Sequence, residues 1–109
     1  MTITYKILGQ LNPSANTLST VYTVPASNSA VISTVVICNQ SSNSAAFSLA
    51  VVPSGASPAA QHYLNFQTPV PGSDSITVTI GITMSAGDTI RANVTSGTVS
   101  VNAFGSEIY

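Results

Sequence analysis

The sequence predicts an all-β protein, an antiparallel β-sandwich of about eight strands with a jelly-roll or Ig-like arrangement. Two observations lead to this fold class. Short apolar runs rich in Val, Ile and Thr recur at fairly even spacing between turns of Pro, Gly, Asn and Ser, and no segment keeps a helical period. A chain of 109 residues can bury one core, so we expect a single domain over residues 1–109.

The longest apolar β-branched run, residues 30–39, predicts the central strand. Strict alternation would put Val31, Val35 and Ile37 on one face. Because the other face is also largely apolar, we expect this strand to be covered on both sides. After a polar turn, residues 45–52 predict the return strand with its large apolar side chains pointing inward.

Weaker patterns predict the remaining elements. Residues 2–8 alternate and predict either a first strand or an arm, so residues 1–18 could form an N-terminal arm. Pro and Gly mark the corners between the later strands. In chain order, the other predictions are strands at 19–24, 61–67 and 76–83, a loop at 53–60, a hairpin of 89–95 with 98–103, and a C-terminal tail at 104–109.

Charge is nearly absent from the sequence: charged residues make up 5% of the chain, against the roughly 25% usual in soluble domains. Two cations cannot neutralise the several phosphates of a nucleic-acid partner, and they form no polybasic membrane patch. No uninterrupted apolar stretch reaches the ~20 residues that span a bilayer. Since surface charge normally prevents association, we expect much of this surface to be covered by further copies or by a partner.

Candidate catalytic and metal-binding residues are few and scattered. His62 is the single histidine, and a Ser–His–Asp site would also need Asp74 or Asp88 beside it. A dyad with Cys38 would need an exposed thiol, whereas Cys38 lies in a predicted strand. The acidic residues are far apart in sequence, unlike a metal-binding cluster. We therefore predict a protein that is not an enzyme, with no catalytic residues, no metal and no cofactor.

Tyrosines are the remaining candidates for recognition. Tyr63, with Asn65 and Gln67 on the same face of its predicted strand, could form a sugar-binding face. The alternative, which we favour, places the tyrosines half-buried at subunit contacts, because a rigid ring with a polar tip suits an interface. The start of the chain lacks a basic segment followed by an apolar one, so we expect no signal peptide.

Several stretches after Leu18 together resemble a family of small virion structural proteins of tailed phages, notably phages of cyanobacteria and other aquatic bacteria. These stretches are strand and turn signatures and extend over most of the chain. They are Val21-Tyr22-Thr23-Val24-Pro25-Ala26, Val36-Ile37-Cys38-Asn39, Phe47-Ser48-Leu49-Ala50-Val51-Val52-Pro53, Gln61-His62-Tyr63-Leu64, Gly81-Ile82-Thr83, Ala86-Gly87-Asp88-Thr89-Ile90-Arg91 and Phe104-Gly105-Ser106-Glu107-Ile108.

The resemblance implies a capsid decoration (cement) protein that binds across junctions of the major capsid protein and stabilises the head. A tail, neck or fibre component is the alternative, as is a receptor- or carbohydrate-binding module. It also implies a homotrimer on the outer surface of the capsid or tail, made in the bacterial host cytoplasm. Termini and loops commonly carry contacts, so the candidate interface residues are Ile3, Tyr5, Lys6, Pro53, Tyr63, Phe104, Ile108 and Tyr109.

Overall fold

A computed structural model describes all residues, 1–109, as two antiparallel sheets packed face to face. The predicted all-β sandwich is therefore confirmed. Sheet A has the strand order β1-β9-β3-β6, with β7 also pairing with β3, and sheet B has the order β2-β8-β4-β5. The strands are β1 (Ile3–Leu11), β2 (Ser19–Thr23), β3 (Ser29–Asn39), β4 (Ala45–Val52), β5 (Tyr63–Val70), β6 (Ser75–Val78), β7 (Ile82–Ser85), β8 (Thr89–Val94) and β9 (Val99–Ile108).

The strand order is that of a jelly roll. In an immunoglobulin domain the first two strands are neighbours in one sheet. Here β1 and β2 lie in different sheets, and β1 instead pairs with the last strand, β9. The single helical segment is a three-residue 3₁₀ turn, Ala60–His62, and no helix is long and apolar enough to cross a membrane.

One apolar core fills the space between the sheets. Its largest side chains are fully buried and come from both layers, with Ile32 and Ile37 on β3 facing Phe47 and Leu49 on β4. Full burial of each such side chain stabilises the fold by about 1.5–3 kcal/mol before conformational entropy is counted.

A β-bulge in β3 corrects the prediction for the central strand. The register of β3 against β9 shifts between Ile32 and Thr34, so one extra residue, Ser33, interrupts the alternation. Val35 and Ile37 therefore share the core face with Ile32, while Val31 lies half-buried on the outer face. Within one chain the second sheet covers only the inner face of β3, and the outer face is half-buried, so its covering by a neighbouring copy or partner stays a prediction.

The predicted strand at 76–83 is divided into two. β6 pairs with Val35–Cys38 and β7 pairs with Ser29–Ile32, so the interruption at 79–81 lies opposite the bulge in β3. Regular alternation over 76–83 would turn Ile80 inward with Ile82, but Ile80 is 40% exposed. Counted as one interrupted strand, β6 and β7 complete the eight strands of a jelly roll.

Both chain ends belong to sheet A. Residues 104–108, predicted as part of a tail, form the second half of β9, which lies between β1 and β3. At the other end, the strand alternative is correct, because Ile3–Leu11 pairs with β9 along its length. Reciprocal backbone hydrogen bonds of 2.5 and 2.9 Å join Thr2 to Tyr109.

Candidate interaction surface

The outer face of sheet A carries an exposed apolar surface where β1 meets β9. On β1, alternation turns Ile3, Tyr5 and Ile7 away from the core, and they are 46%, 83% and 53% exposed. Opposite them on β9 are Phe104 and Ile108, which are half-buried. We call these five residues the β1–β9 surface. A cluster of exposed apolar side chains on one sheet face commonly marks an interaction site.

A groove of about 670 Å³ runs across this surface. It forms because Ser106 of β9 pairs with Tyr5 on one side and Val31 on the other, so a short side chain lies between two larger ones. Phe104 and Ile7 also line it. The floor is tightly packed, because a Cβ atom on Gly105 would overlap the carbonyl oxygen of Val31 and lie 3.0 Å from the Cα of Ile32.

An ionic network lies under the same strands and connects the two sheets. Glu107 of β9 is 5% exposed. One of its carboxylate oxygens lies 2.8 Å from the Nζ of Lys6, and the other accepts a 2.5 Å hydrogen bond from the hydroxyl of Tyr22 on β2. Lys6 and Tyr22 thus share the one buried carboxylate of Glu107.

This network sets the protonation of its members. Hydrogen bonds from Lys6 and Tyr22 hold the pKa of Glu107 below its ordinary value, although burial acts in the opposite direction. Burial and the neighbouring carboxylate raise the pKa of Tyr22 well above its usual value, so its hydroxyl remains a donor. Lys6, the one cation on β1, is therefore engaged inside the chain.

The eight candidate interface residues separate into two groups. Six of them, Ile3, Tyr5, Lys6, Phe104, Ile108 and Tyr109, lie together on the adjoining ends of β1 and β9. Tyr109 approaches β1 through its hydroxyl, which is 3.1 Å from the Oγ1 of Thr4. Pro53 and Tyr63 belong instead to sheet B, after β4 and at the start of β5.

The predicted sugar-binding face on β5 has a different arrangement from the one expected. Gln67 has a positive φ of 50° at a register shift, which ends the simple alternation of β5. The ring of Tyr63 consequently meets that of Phe66 edge-on at 5.2 Å, and Phe66 is the exposed ring, at 64%. The Oδ1 of Asn65 is buried without a hydrogen-bond partner.

The residues weighed for catalysis are engaged in turns. The Nδ1 of His62 accepts a 3.0 Å hydrogen bond from the backbone N–H of Ala59. The carboxylate of Asp88 accepts 2.9 Å bonds from the backbone N–H groups of Ser54 and Ser85, which fixes two loops. No three His, Cys, Asp or Glu side chains lie close enough together to hold a metal ion.

Two features of the surface are not among the residues and contacts predicted from the sequence. Ile7 shares the alternation of Ile3 and Tyr5, so the period of β1 could have identified it. The partnership of Glu107 with Tyr22 has no sequence signal, because 85 positions separate the two residues. No family model, curated protein or solved structure matches this chain.

Proposed function

We propose that this chain is a non-enzymatic structural protein of a phage virion, most specifically a capsid decoration protein that binds across junctions of the major capsid protein. The observation that supports an assembly role is the β1–β9 surface, where Tyr5 and its apolar neighbours are exposed together on one face of a hydrogen-bonded sheet. The virion assignment is supported by the resemblance of the strand and turn stretches to small tailed-phage proteins. Jelly-roll sandwiches occur among capsid proteins and among lectins.

The physical basis of such binding is burial of apolar area, at about 25 cal/mol for each Å² removed from water. Aromatic residues are enriched in interface cores, and Tyr5 is the most exposed aromatic residue here, at 83%. Ionic steering contributes little, because the chain has only five charged residues and Lys6 already pairs with Glu107. Binding by this surface should depend only weakly on ionic strength.

In this proposal the partner is the major capsid protein, and the chain acts on the outer surface of the head after synthesis in the bacterial host cytoplasm. A homotrimer at threefold positions would place three copies of the surface around one junction. A tail, neck or fibre component would use the same surface against a tail protein.

A receptor- or carbohydrate-binding module is the second candidate function. It is favoured by the exposed ring of Phe66. The adjacent residue, Gln67, lines a small polar cleft of about 80 Å³ together with Asn93 and Thr95. Sugars commonly stack on an exposed ring while amides and hydroxyls bind their hydroxyl groups. Glycan binding that is lost in Phe66→Ala and retained in Tyr5→Ser would favour this function.

A capsid-binding experiment tests the leading function. The double variant Tyr5→Ser/Ile7→Ser should bind heads that lack the protein at least ~100-fold more weakly than the unmodified chain, because it removes the two most exposed side chains of the surface. Cosedimentation with the heads over a concentration series measures the change.

The matched control is Phe66→Ser, which removes an exposed aromatic side chain from sheet B. It should retain full binding to the heads. If the control weakened binding as much as the double variant, the β1–β9 surface would not be the capsid contact. An unmodified chain that fails to bind such heads at any concentration would refute capsid decoration.

A further inference from the structure

The edges of the two sheets differ in how well they are protected against pairing with another strand. Four of the five edge strands are short or distorted: β2 has five residues and a bulge, β6 and β7 have four residues each, and β5 contains Pro69 and the bulge near Gln67. Short strands, bulges and prolines are the features that prevent edge pairing. β1 has nine residues and stays regular from Ile3 to Ile7.

The backbone of β1 presents unpaired hydrogen-bonding groups at this edge. Thr2 and Tyr109 exchange both of their backbone hydrogen bonds, which fixes the phase of the β1–β9 ladder. Thr4 and Lys6 follow Thr2 at intervals of two residues, so their backbone N–H and C=O groups also point toward β9. The N–H and C=O groups of Ile3, Tyr5 and Ile7 consequently point away from β9, toward the open edge.

We propose that β1 pairs antiparallel with β1 of a second copy of this chain, about a two-fold axis that passes through Tyr5. In this register Tyr5 lies opposite Tyr5 of the second copy, and Ile3 lies opposite Ile7 of the second copy. All three positions are ones whose backbone groups face the edge, so each opposed pair exchanges both hydrogen bonds. The two copies contribute one continuous sheet with an Ile–Tyr–Ile ladder on its outer face.

The side chains and charges of β1 are compatible with this register. Lysine at a sheet edge normally opposes pairing, but Lys6 extends to Glu107 of its own chain, 2.8 Å away. The two-fold axis places Lys6 opposite Thr4 of the second copy, so no like charges meet. The pairing also ends before Gly9, where β1 packs against the backbone of Val21 in β2 and the edge is no longer open.

This inference goes beyond the proposed function and does not depend on it, because it rests on the backbone phase of β1 and needs no capsid. Amide hydrogen exchange on the purified chain tests it first. The amides of Ile3, Tyr5 and Ile7 should be protected, and their protection should increase with protein concentration. The particle mass should be twice the chain mass of 11.1 kDa, or twice a trimer if a threefold contact also forms.

Charge complementation tests the register itself. The Tyr5→Lys variant and the Tyr5→Glu variant should each fail to form the β1–β1 pair, because like charges would face each other across the two-fold axis. An equal mixture of the two variants should restore the paired mass, because position 5 opposes itself only in this register. The control Phe66→Lys adds a charge at another exposed aromatic position, on β5, and should leave the paired mass unchanged.

Rapid exchange at Ile3, Tyr5 and Ile7 at every concentration, with a particle mass of one chain or of a trimer, would overturn the proposal. It would also be overturned if the mixture of the two Tyr5 variants stayed unpaired. Neither result bears on binding to capsids, and failure to bind capsids would not affect the pairing of β1.

Discussion

Gly105→Ala should destabilise the protein by about 3 kcal/mol, in spite of the better strand propensity of alanine. Replacing a strand glycine normally gains about 0.5–1 kcal/mol because the unfolded chain loses entropy. Here the new Cβ would overlap the carbonyl oxygen of Val31 and lie 3.0 Å from the Cα of Ile32. Both obstacles are backbone atoms of the central strand, so β9 and β3 must separate at the bulge. Urea denaturation measures the free energy of unfolding.

The matched control for this variant is Gly81→Ala. Gly81 lies between β6 and β7, its φ is not in the left-handed region, and a Cβ there would meet no atom within 4 Å. We expect its stability to change by less than ~0.5 kcal/mol. If both alanine variants had the same stability, the close packing of β9 against the bulge in β3 would be incorrect.

Glu107→Leu should destabilise the protein by about 3 kcal/mol, because it leaves the buried hydroxyl of Tyr22 without an acceptor and Lys6 without a counter-ion. We take the lower end of the range for broken buried ion pairs, since the side chain of Lys6 is 45% exposed and its charge can be hydrated. Thermal or urea unfolding measures the loss.

A double variant separates the network from a simple loss of packing. In Tyr22→Phe/Glu107→Leu the orphaned hydroxyl is also removed, so the cost should be smaller than the sum of the two single variants. The control Asp74→Asn alters an exposed carboxylate that binds only the N–H of Ser75, and it should change stability by less than ~1 kcal/mol. Strictly additive costs would contradict a shared network.

The same network makes stability depend on pH. The pKa of Glu107 is lower in the folded chain than its ordinary value of 4.5, so its contribution is complete above pH 4.5 and is lost as the pH falls through the folded-state pKa. The pKa of Tyr22 is raised above 10, so its contribution is complete below pH 10 and is lost as the pH rises further. In Glu107→Gln the free energy of unfolding should no longer fall as the pH is lowered below 4.5. The same loss of stability at acid pH in this variant would show that Glu107 is not its source.

The sandwich fold could be predicted from local patterns, whereas the side chains of β3 that face the core could not. Runs such as 30–39 and 45–52 predict strands because β-branched residues and turn residues act over a few positions. The bulge at Ser33 depends on pairing with β9 and with the interrupted β6–β7 strand, contacts that lie far apart in sequence. One extra residue reverses every side chain before it relative to those after it, so strict alternation groups Val31 with Val35 and Ile37, whereas Val31 lies on the opposite face.

The candidate surface shows the same limit. Tyr5, Phe104 and Ile108 could be named from position and residue type, and the fold brings them together. Residues 104–108 have weak strand propensity, with Gly, Ser and Glu among them, so their place in the middle of sheet A follows from long-range pairing alone. Lys6 stays a predicted contact residue, and its ion pair with Glu107 within the chain has no signal in the sequence.

The position of the chain in a reconstruction of the intact phage particle tests the central claim most directly. The proposal predicts copies of the sandwich on the outside of the head, at junctions between capsomers, with Tyr5 and Ile7 buried against a neighbouring protein. Absence of the chain from purified particles, or a β1–β9 surface that faces solvent in every copy, would contradict it.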